Sequence, residues 1–418
     1  MIRLLTCVFI LLNALSVFPQ QIDWKRDIRT LKHELPKRHV KPFVAYPQKQ
    51  FNAALDSLIV LSEKLTDAQM RISLQRVIAR LGDAHTCIVS ANGYGALRYF
   101  PFSLYQFNDG CFVLETDSAN GDLLGCRLDS MNHLPVKVVM DSMMSLLPAD
   151  TSPYASVHSL KYLSYLDELK YFGVVGEDEQ LLLSLVDRSG HRLEKILSPI
   201  TYRDSNVVYL QQDSLNFIQQ HRRDWFGAEW LEQDSMLYIY YNRCYSREMA
   251  AMYGRNFEHL SEMPSFLAFS DDVLKMAGKY PVRKLVMDLR WNQGGGTPQG
   301  YELIRRMSED PVLKNVPSYV VIGRLTFSAA VQNASQMRRL MHAKFVGETA
   351  SGKPAHFGNV AQFKLPASGL VLRYSLKYMN WSIGPVNLLS PDYPTFISFS
   401  DYLSGRDAAY EIIRSLKQ

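Results

Sequence analysis

Four stretches of the 418-residue chain carry residue types that could act together on a carbonyl group. The first holds Ser328. The apolar run Ser318 to Ile322 has strand length and ends at Gly323, the loop Arg324-Leu325-Thr326-Phe327 follows, and a helical pattern begins beside the serine. Ala330, Ala334, Met337 and Met341 form the stripe that such a helix would bury. A hydroxyl at that N-terminus faces the positive end of the helix dipole, and the Ala329 N–H can stabilise a developing oxyanion. A serine there can also be a plain N-cap. The second stretch is Val286-Met287-Asp288-Leu289-Arg290-Trp291-Asn292-Gln293-Gly294-Gly295-Gly296. Consecutive glycines bare backbone N–H groups, as an oxyanion hole requires, so Gly294 and Gly295 join Ala329 as candidate donors. A phosphate loop would end in GK[ST] or space its glycines as GxGxxG, and neither occurs. Asp288 and Arg290 read as supports for the glycine loop.

The third stretch, Gly347-Glu348-Thr349-Ala350-Ser351-Gly352-Lys353, follows the strand-length run ending at Val346. A right-handed crossover would return Lys353 to the same end of the sheet as Ser328, where a desolvated lysine can serve as base for a serine. A solvated loop lysine is the commoner role. The fourth is Leu81-Gly82-Asp83-Ala84-His85-Thr86, where a helical pattern stops and a short strand begins. His85 is of the type most used as general base near neutral pH, and alone it would read as structural. His356 is a third candidate base. The functional reading rests on the four stretches occurring together.

Three textures of chain must position these residues. From Asp23 to Leu81 the spacing is helical: Leu55, Leu58, Leu61 and Leu65 recur at three and four residues, and Asp67 opens a second run through Met70, Leu74, Val77, Ile78 and Leu81. Between about Arg98 and Pro199 short strands alternate with turns. Asn108-Asp109-Gly110 and Asp187 to Gly190 each separate two strand-length runs, and Leu124 to Val136 read as strand, turn and helix start. From about Ser235 strands (Met236 to Tyr241, Lys284 to Leu289, Ser318 to Ile322, Lys344 to Val346) alternate with helical patterns, which predicts an α/β domain.

The ordered set of motifs resembles the family that includes C-terminal processing peptidases, the tricorn core and the retinoid-binding repeats of photoreceptor matrix, the tail-specific protease superfamily. In that family a helical segment ends in Gly-Asp-x-His-Thr, matched by Gly82 to Thr86. A PDZ-like region follows, then Asp-Leu-Arg-x-Asn-x-Gly-Gly (Asp288 to Gly295), Thr-Phe-Ser-Ala-Ala (Thr326 to Ala330) and a Gly-Glu-Thr segment approximated by Gly347 to Lys353. The resemblance implies a multi-domain α/β fold: a helical segment over 21–95, a PDZ-like β-rich domain over 96–200, and a crotonase-like ββα-spiral catalytic core over 201–418. It also implies two arrangements. In one, Lys353 activates Ser328; in the other, His85 does so with help from a second serine and a glutamate. Ala84 stands where that second serine is expected and Pro385 near the place of the glutamate, so the tetrad is incomplete.

Composition bounds the rest. With 47% hydrophobic and 21% charged residues the chain is an ordinary globular protein, and its 46 basic and 41 acidic residues are interspersed, with no basic run among aromatics to suggest nucleic acid. Arg3 followed by the apolar stretch Leu4 to Val17 is too short to span a bilayer and reads as a signal peptide over 1–20, which predicts export to the periplasm or outside the cell. Removing Cys7 leaves Cys87, Cys111, Cys126 and Cys244, either two disulfides in one of three pairings or four buried thiols. No CxxC or HExxH occurs, and no metal or organic cofactor is implied. The expected function is a serine peptidase acting on peptide or protein substrates through a Ser328 acyl-enzyme. The alternatives are an inactive relative that binds peptides or apolar ligands and, on fold alone, an acyl-CoA enzyme.

Overall fold

A computed structural model of the chain describes residues 22–89, 97–201, 206–254, 260–382 and 387–416. The signal-peptide reading of 1–20 and the position of Pro385 lie outside these residues. The chain opens with helices α1 (Trp24–Arg38), α2 (Gln48–Leu61) and α3 (Asp67–Ala79). Asp23 caps the first, and a reciprocal Thr66–Gln69 capping box starts the third. Gly82, at a φ of +67°, turns the chain out of α3 into strand β1 (Cys87–Val89).

The middle of the chain forms β2 (Arg98–Tyr99), β3 (Phe102–Phe107), β4 (Gly110–Asp117), β5 (Arg127–Met131), β6 (Leu134–Pro135), α4 (Val136–Met144), α5 (Ser152–Ser159), α6 (Leu166–Tyr171), β7 (Leu181–Val186), β8 (Arg192–Leu197), β9 (Ile200–Thr201) and β10 (Val207–Tyr209). Seven of these strands make one sheet in the order β10-β4-β5-β7-β8, with β3 on β4 and β6 on β5. Its pairings are antiparallel, and short turns join β3 to β4 and β7 to β8. Since β10 pairs with β4, this sheet draws on residues beyond 200.

The last part contains α7 (Phe217–Gln220), β11 (Phe226–Leu231), β12 (Met236–Tyr241), α8 (Arg247–Met252), α9 (Phe266–Lys279), β13 (Lys284–Asp288), α10 (Thr297–Glu309), β14 (Ser318–Ile322), α11 (Ala329–Met341), β15 (Lys344–Gly347), β16 (Ala355–Lys364), β17 (Val371–Asn380), β18 (Tyr393–Pro394), α12 (Phe399–Ser404) and α13 (Ala408–Ser415). Its sheet runs β11-β12-β13-β14-β15-β18. All neighbours pair in parallel except β11, which runs antiparallel to β12. Every residue of β12, β13 and β14 is buried, because α9, α10 and α11 cover one face of the sheet while α7 and α13 cover the other.

The architecture is thus mixed α/β with several sheets. The three N-terminal helices have no closed core of their own: Leu31, Leu55, Met70 and Leu74 share one apolar cluster with Leu365, Leu370, Leu372 and Tyr374, contributed by the β16–β17 hairpin and its turn. That same hairpin pairs with β1, setting Cys87 opposite Arg373. The turn carrying His85 is thereby carried to the domain that carries Ser328.

Candidate active site

Parallel strands bring their carboxyl ends to one edge of a sheet, and loops leaving that edge are where an α/β fold builds sites. Here the glycine loop leaves β13, the serine loop leaves β14 and the segment to Lys353 leaves β15. Thr326 ties the first two together, accepting from the Gly323 N–H at 2.9 Å and donating to the Leu289 carbonyl at 2.8 Å. The Phe327 N–H adds a bond to the Asn292 carbonyl at 3.0 Å.

Ser328 emerges from this brace at φ +52° and ψ −120°, a conformation that residues with a Cβ seldom adopt, at a cost of about 1–3 kcal/mol. It occupies the N-cap position of α11, but its side chain makes no capping bond. Its Oγ lies instead 3.1 Å from His85 Nε2. Close packing enforces the placement. A Cβ on Gly294 would stand 2.7 Å from the Ser328 Cβ, and one on Gly352 would stand 3.2 Å from the Ser328 nitrogen.

The glycine loop's donors divide unequally. The Gly294 N–H is held by Asn292 Oδ1 at 2.8 Å, and the Gly296 N–H by the Cys244 carbonyl at 2.7 Å. The N–H groups of Gly295 and Ala329 donate to no group among the described residues. Asn292 also donates to the Tyr241 carbonyl at 2.7 Å, so its amide is fixed from both sides. Below the loop, Arg290 bridges Asp288 at 2.8 Å and Asp407 at 2.5 Å, and the Tyr238 hydroxyl donates to Asp288 at 2.7 Å. This nearly buried cluster pins the end of β13 to the start of α13.

His85 is sandwiched between the rings of Phe327, 4.7 Å away, and His356, 5.7 Å away, both nearly parallel to it. Burial lowers its pKa to about 4; Asp83 opposes that shift, while His356 and Arg373 add to it. At neutral pH its imidazole is uncharged and able to accept a proton. Asp83 is buried too. Burial alone would raise its pKa, but hydrogen bonds from His39, Thr86, Ser375 and the His85 N–H outweigh this and bring it down to about 2.

The other two candidate bases are placed differently. His356 points Nδ1 at the Lys353 carbonyl, 2.6 Å away, and Nε2 at the Gln332 amide, 3.4 Å away, so both ring nitrogens are engaged away from Ser328. The Lys353 ammonium makes no hydrogen bond or ion pair with a described residue, Ser328 included, and its field reaches Asp150. Burial raises the Asp150 carboxyl to about 6.

Several residues at the site were not singled out from sequence. Gln332 lies one turn after Ser328 on α11, a spacing that would have flagged it. Tyr154 of α5 packs its ring 5.1 Å from Phe327, and Thr151 donates to the Ser351 carbonyl at 2.5 Å. A cavity of about 780 Å³ lies between β3 and α5, lined by Phe102, Leu104, Tyr105, Val157, Leu160 and Leu325 among others. Cys87, Cys111, Cys126 and Cys244 are free thiols. Among the described residues no three His, Cys, Asp or Glu side chains are grouped to hold a metal ion, and no helix is long and apolar enough to cross a membrane.

No protein-family model and no curated protein sequence matches the chain. Solved structures do. Mature CPAF complexed with lactacystin superposes with a TM-score of 0.65 at 11% identity, covering 94% of this chain and 98% of its own. A second structure of mature CPAF gives 0.63 at 12% identity, with coverage of 94% and 95%. What is shared at such identity is the fold, and it is shared over nearly the whole of both chains. The photosystem II D1 C-terminal processing protease aligns over 93% of this chain and 98% of its own at 15% identity, with a TM-score of 0.39.

Proposed function

We propose that the chain is an exported serine peptidase with Ser328 as nucleophile and His85 as its base. The observation that carries this reading is the 3.1 Å contact between Ser328 Oγ and His85 Nε2, made by residues 243 positions apart, one of them on a strained backbone and the other uncharged at neutral pH. In the proposed reaction Oγ attacks a peptide carbonyl as its proton passes to Nε2. The oxyanion is received by the N–H groups of Gly295 and Ala329, while Gly294, whose own N–H is occupied, leaves room for the serine. The C–N bond then breaks as the imidazolium returns the proton to the leaving amine, and water repeats the sequence on the acyl-enzyme. An imidazolium with so depressed a pKa is a strong acid toward that amine.

The four motifs resembling C-terminal processing peptidases support peptide or protein as the substrate class. The fold shared with CPAF is consistent with a crotonase-like core over the last part of the chain and with a PDZ-like role for the middle sheet. The cavity between β3 and α5 offers room for an extended chain beside Leu325. The apolar N-terminal stretch supports action in the periplasm or outside the cell.

Labelling the purified protein with a fluorophosphonate probe and mapping the modified peptide tests the reading. Modification at Ser328, abolished in Ser328→Ala, is expected. A folded protein that neither labels nor cleaves unfolded protein substrates would overturn it in favour of a chain that binds peptides or apolar ligands.

A further inference from the structure

The contact between Ser328 and His85 leaves open what holds the histidine, since a serine–histidine pair works only if the far ring nitrogen keeps its proton and the ring keeps its angle. Stacking between Phe327 and His356 fixes the plane of the ring but not its rotation within that plane, nor which nitrogen is protonated. The group facing His85 Nδ1 is Asp83, two residues earlier on the same turn. Its Oδ1 accepts the His85 backbone N–H at 2.9 Å and lies 3.9 Å from Nδ1, beyond hydrogen-bond reach in the resting site and close enough to act on a charged ring.

Asp83 is built to stay where it is. Its Oδ2 receives three donors: His39 Nε2 at 2.9 Å, Thr86 Oγ1 at 2.6 Å and Ser375 Oγ at 2.7 Å. These come from the end of α1, from the turn itself and from β17, three separate parts of the chain. The His39 side chain is wholly buried, and its Nδ1 accepts the Lys41 N–H at 2.9 Å, which leaves the proton on Nε2 for Asp83. A carboxylate used only to cap a turn would not need three further donors on its second oxygen, each drawn from a different element.

We propose that Asp83 is the positioning acid of the Ser328–His85 pair, held by His39, Thr86 and Ser375, so that it keeps the proton of neutral His85 on Nδ1 and stabilises the imidazolium formed when Ser328 is acylated. The proposal rests on the serine-peptidase reading and adds to it a member that the motif resemblance does not assign. Protonation places a positive charge on the ring 3.9 Å from Asp83 Oδ1, near enough for the fixed carboxylate to stabilise it. The other charged or titratable groups felt by His85 are His356 on β16 and Arg373 on β17, and both oppose a positive ring, so the Asp83 carboxylate is the group that favours it.

The test measures fluorophosphonate labelling of Ser328 against pH in the wild type and in Asp83→Asn, with thermal unfolding followed in parallel. The expected result is a plateau rate lower by about 10²–10⁴-fold and an acid-limb midpoint moved to lower pH, because the neighbour that favours the charged ring is gone. His39→Gln, which retains an N–H donor, is expected to keep most of the rate, and His39→Leu to lose it. A folded Asp83→Asn protein with the wild-type plateau and midpoint would overturn the proposal. Should Asp83→Asn fail to fold, nitrogen NMR of histidine-labelled wild type at neutral pH decides: protonation of His85 on Nδ1 supports the assignment, and protonation on Nε2 overturns it. That measurement needs no turnover, so a wild type that does not label would sink the peptidase reading and leave this one still decidable.

Discussion

The Cβ that Gly294 lacks would lie 2.7 Å from the Cβ of Ser328 and 3.0 Å from the nitrogen of Ala329, so the glycine loop and Ser328 occupy adjoining space with nothing to spare. Gly294 also sits at φ +95°, where a side chain is strained whatever the room. Gly294→Ala should push Ser328 out of line with His85. The expected outcome is at least about a 10²-fold loss of labelling rate, with a stability loss of about 1–3 kcal/mol, read from fluorophosphonate kinetics and urea unfolding.

His85 and Lys353 are separable by substitution. Since Ser328 Oγ bonds to His85 and the Lys353 ammonium bonds to no described residue, His85→Ala should lower labelling by about 10²–10⁴-fold while Lys353→Ala stays within a few-fold of wild type. The reverse pattern would make Lys353 the base.

The pH dependence follows from the buried ring. His85 must be neutral to accept a proton, and its pKa lies near about 4 where an ordinary histidine has 6.5. Labelling should therefore hold its plateau down through pH 6 and fall with a midpoint near 4. Stability moves in the same sense. His85 binds its proton more readily unfolded than folded, so its stabilising contribution is complete above pH 6.5 and is lost as pH falls from there toward 4. His158, also lowered by burial to about 4, adds to the same slope. Asp150, raised to about 6 by burial, contributes the opposite slope in that window, so the comparison is made in Asp150→Asn, where a denaturation midpoint flat between pH 6.5 and 4 would contradict both histidine assignments.

Arg290 supports the site from beneath. Its guanidinium lies between Asp288 and Asp407, and Asp288 is 1% exposed, so Arg290→Met would strand a buried carboxylate. A loss of about 3–5 kcal/mol is expected from urea unfolding, accompanied by slower labelling because the end of β13 leads directly into the glycine loop.

How much of this was legible in the sequence depends on how local each feature is. The runs Met236 to Tyr241 and Ser318 to Ile322 coincide with β12 and β14, and the stripe Ala330, Ala334, Met337 and Met341 is buried on α11, because strand and helix periods are properties of neighbouring residues. The antiparallel strand β11 was not read: every residue of it is half-buried, so no alternation marks it. The hairpin β16–β17 was missed for a related reason, its burial fading along β16 from one end to the other. His39 was invisible, since nothing near it in sequence hints at Asp83, 44 positions on. The engagement of the Gly294 N–H by Asn292 was equally hidden, because a run of glycines shows which N–H groups are unobstructed by side chains and not which of them another residue has already bonded.

The hairpin that closes the core of α1 to α3 also supplies Ser375 to Asp83 and stacks His356 on His85. Synthesis runs from the N-terminus, so a growing chain carries its histidine long before its serine, and the hairpin that settles the histidine is complete only after residue 380 has been added. Until then His85 lacks the ring it stacks on and Asp83 lacks one of its donors. On the proposed reading, the pairing that would make the molecule hydrolytic is thus among the last features the nascent polypeptide acquires.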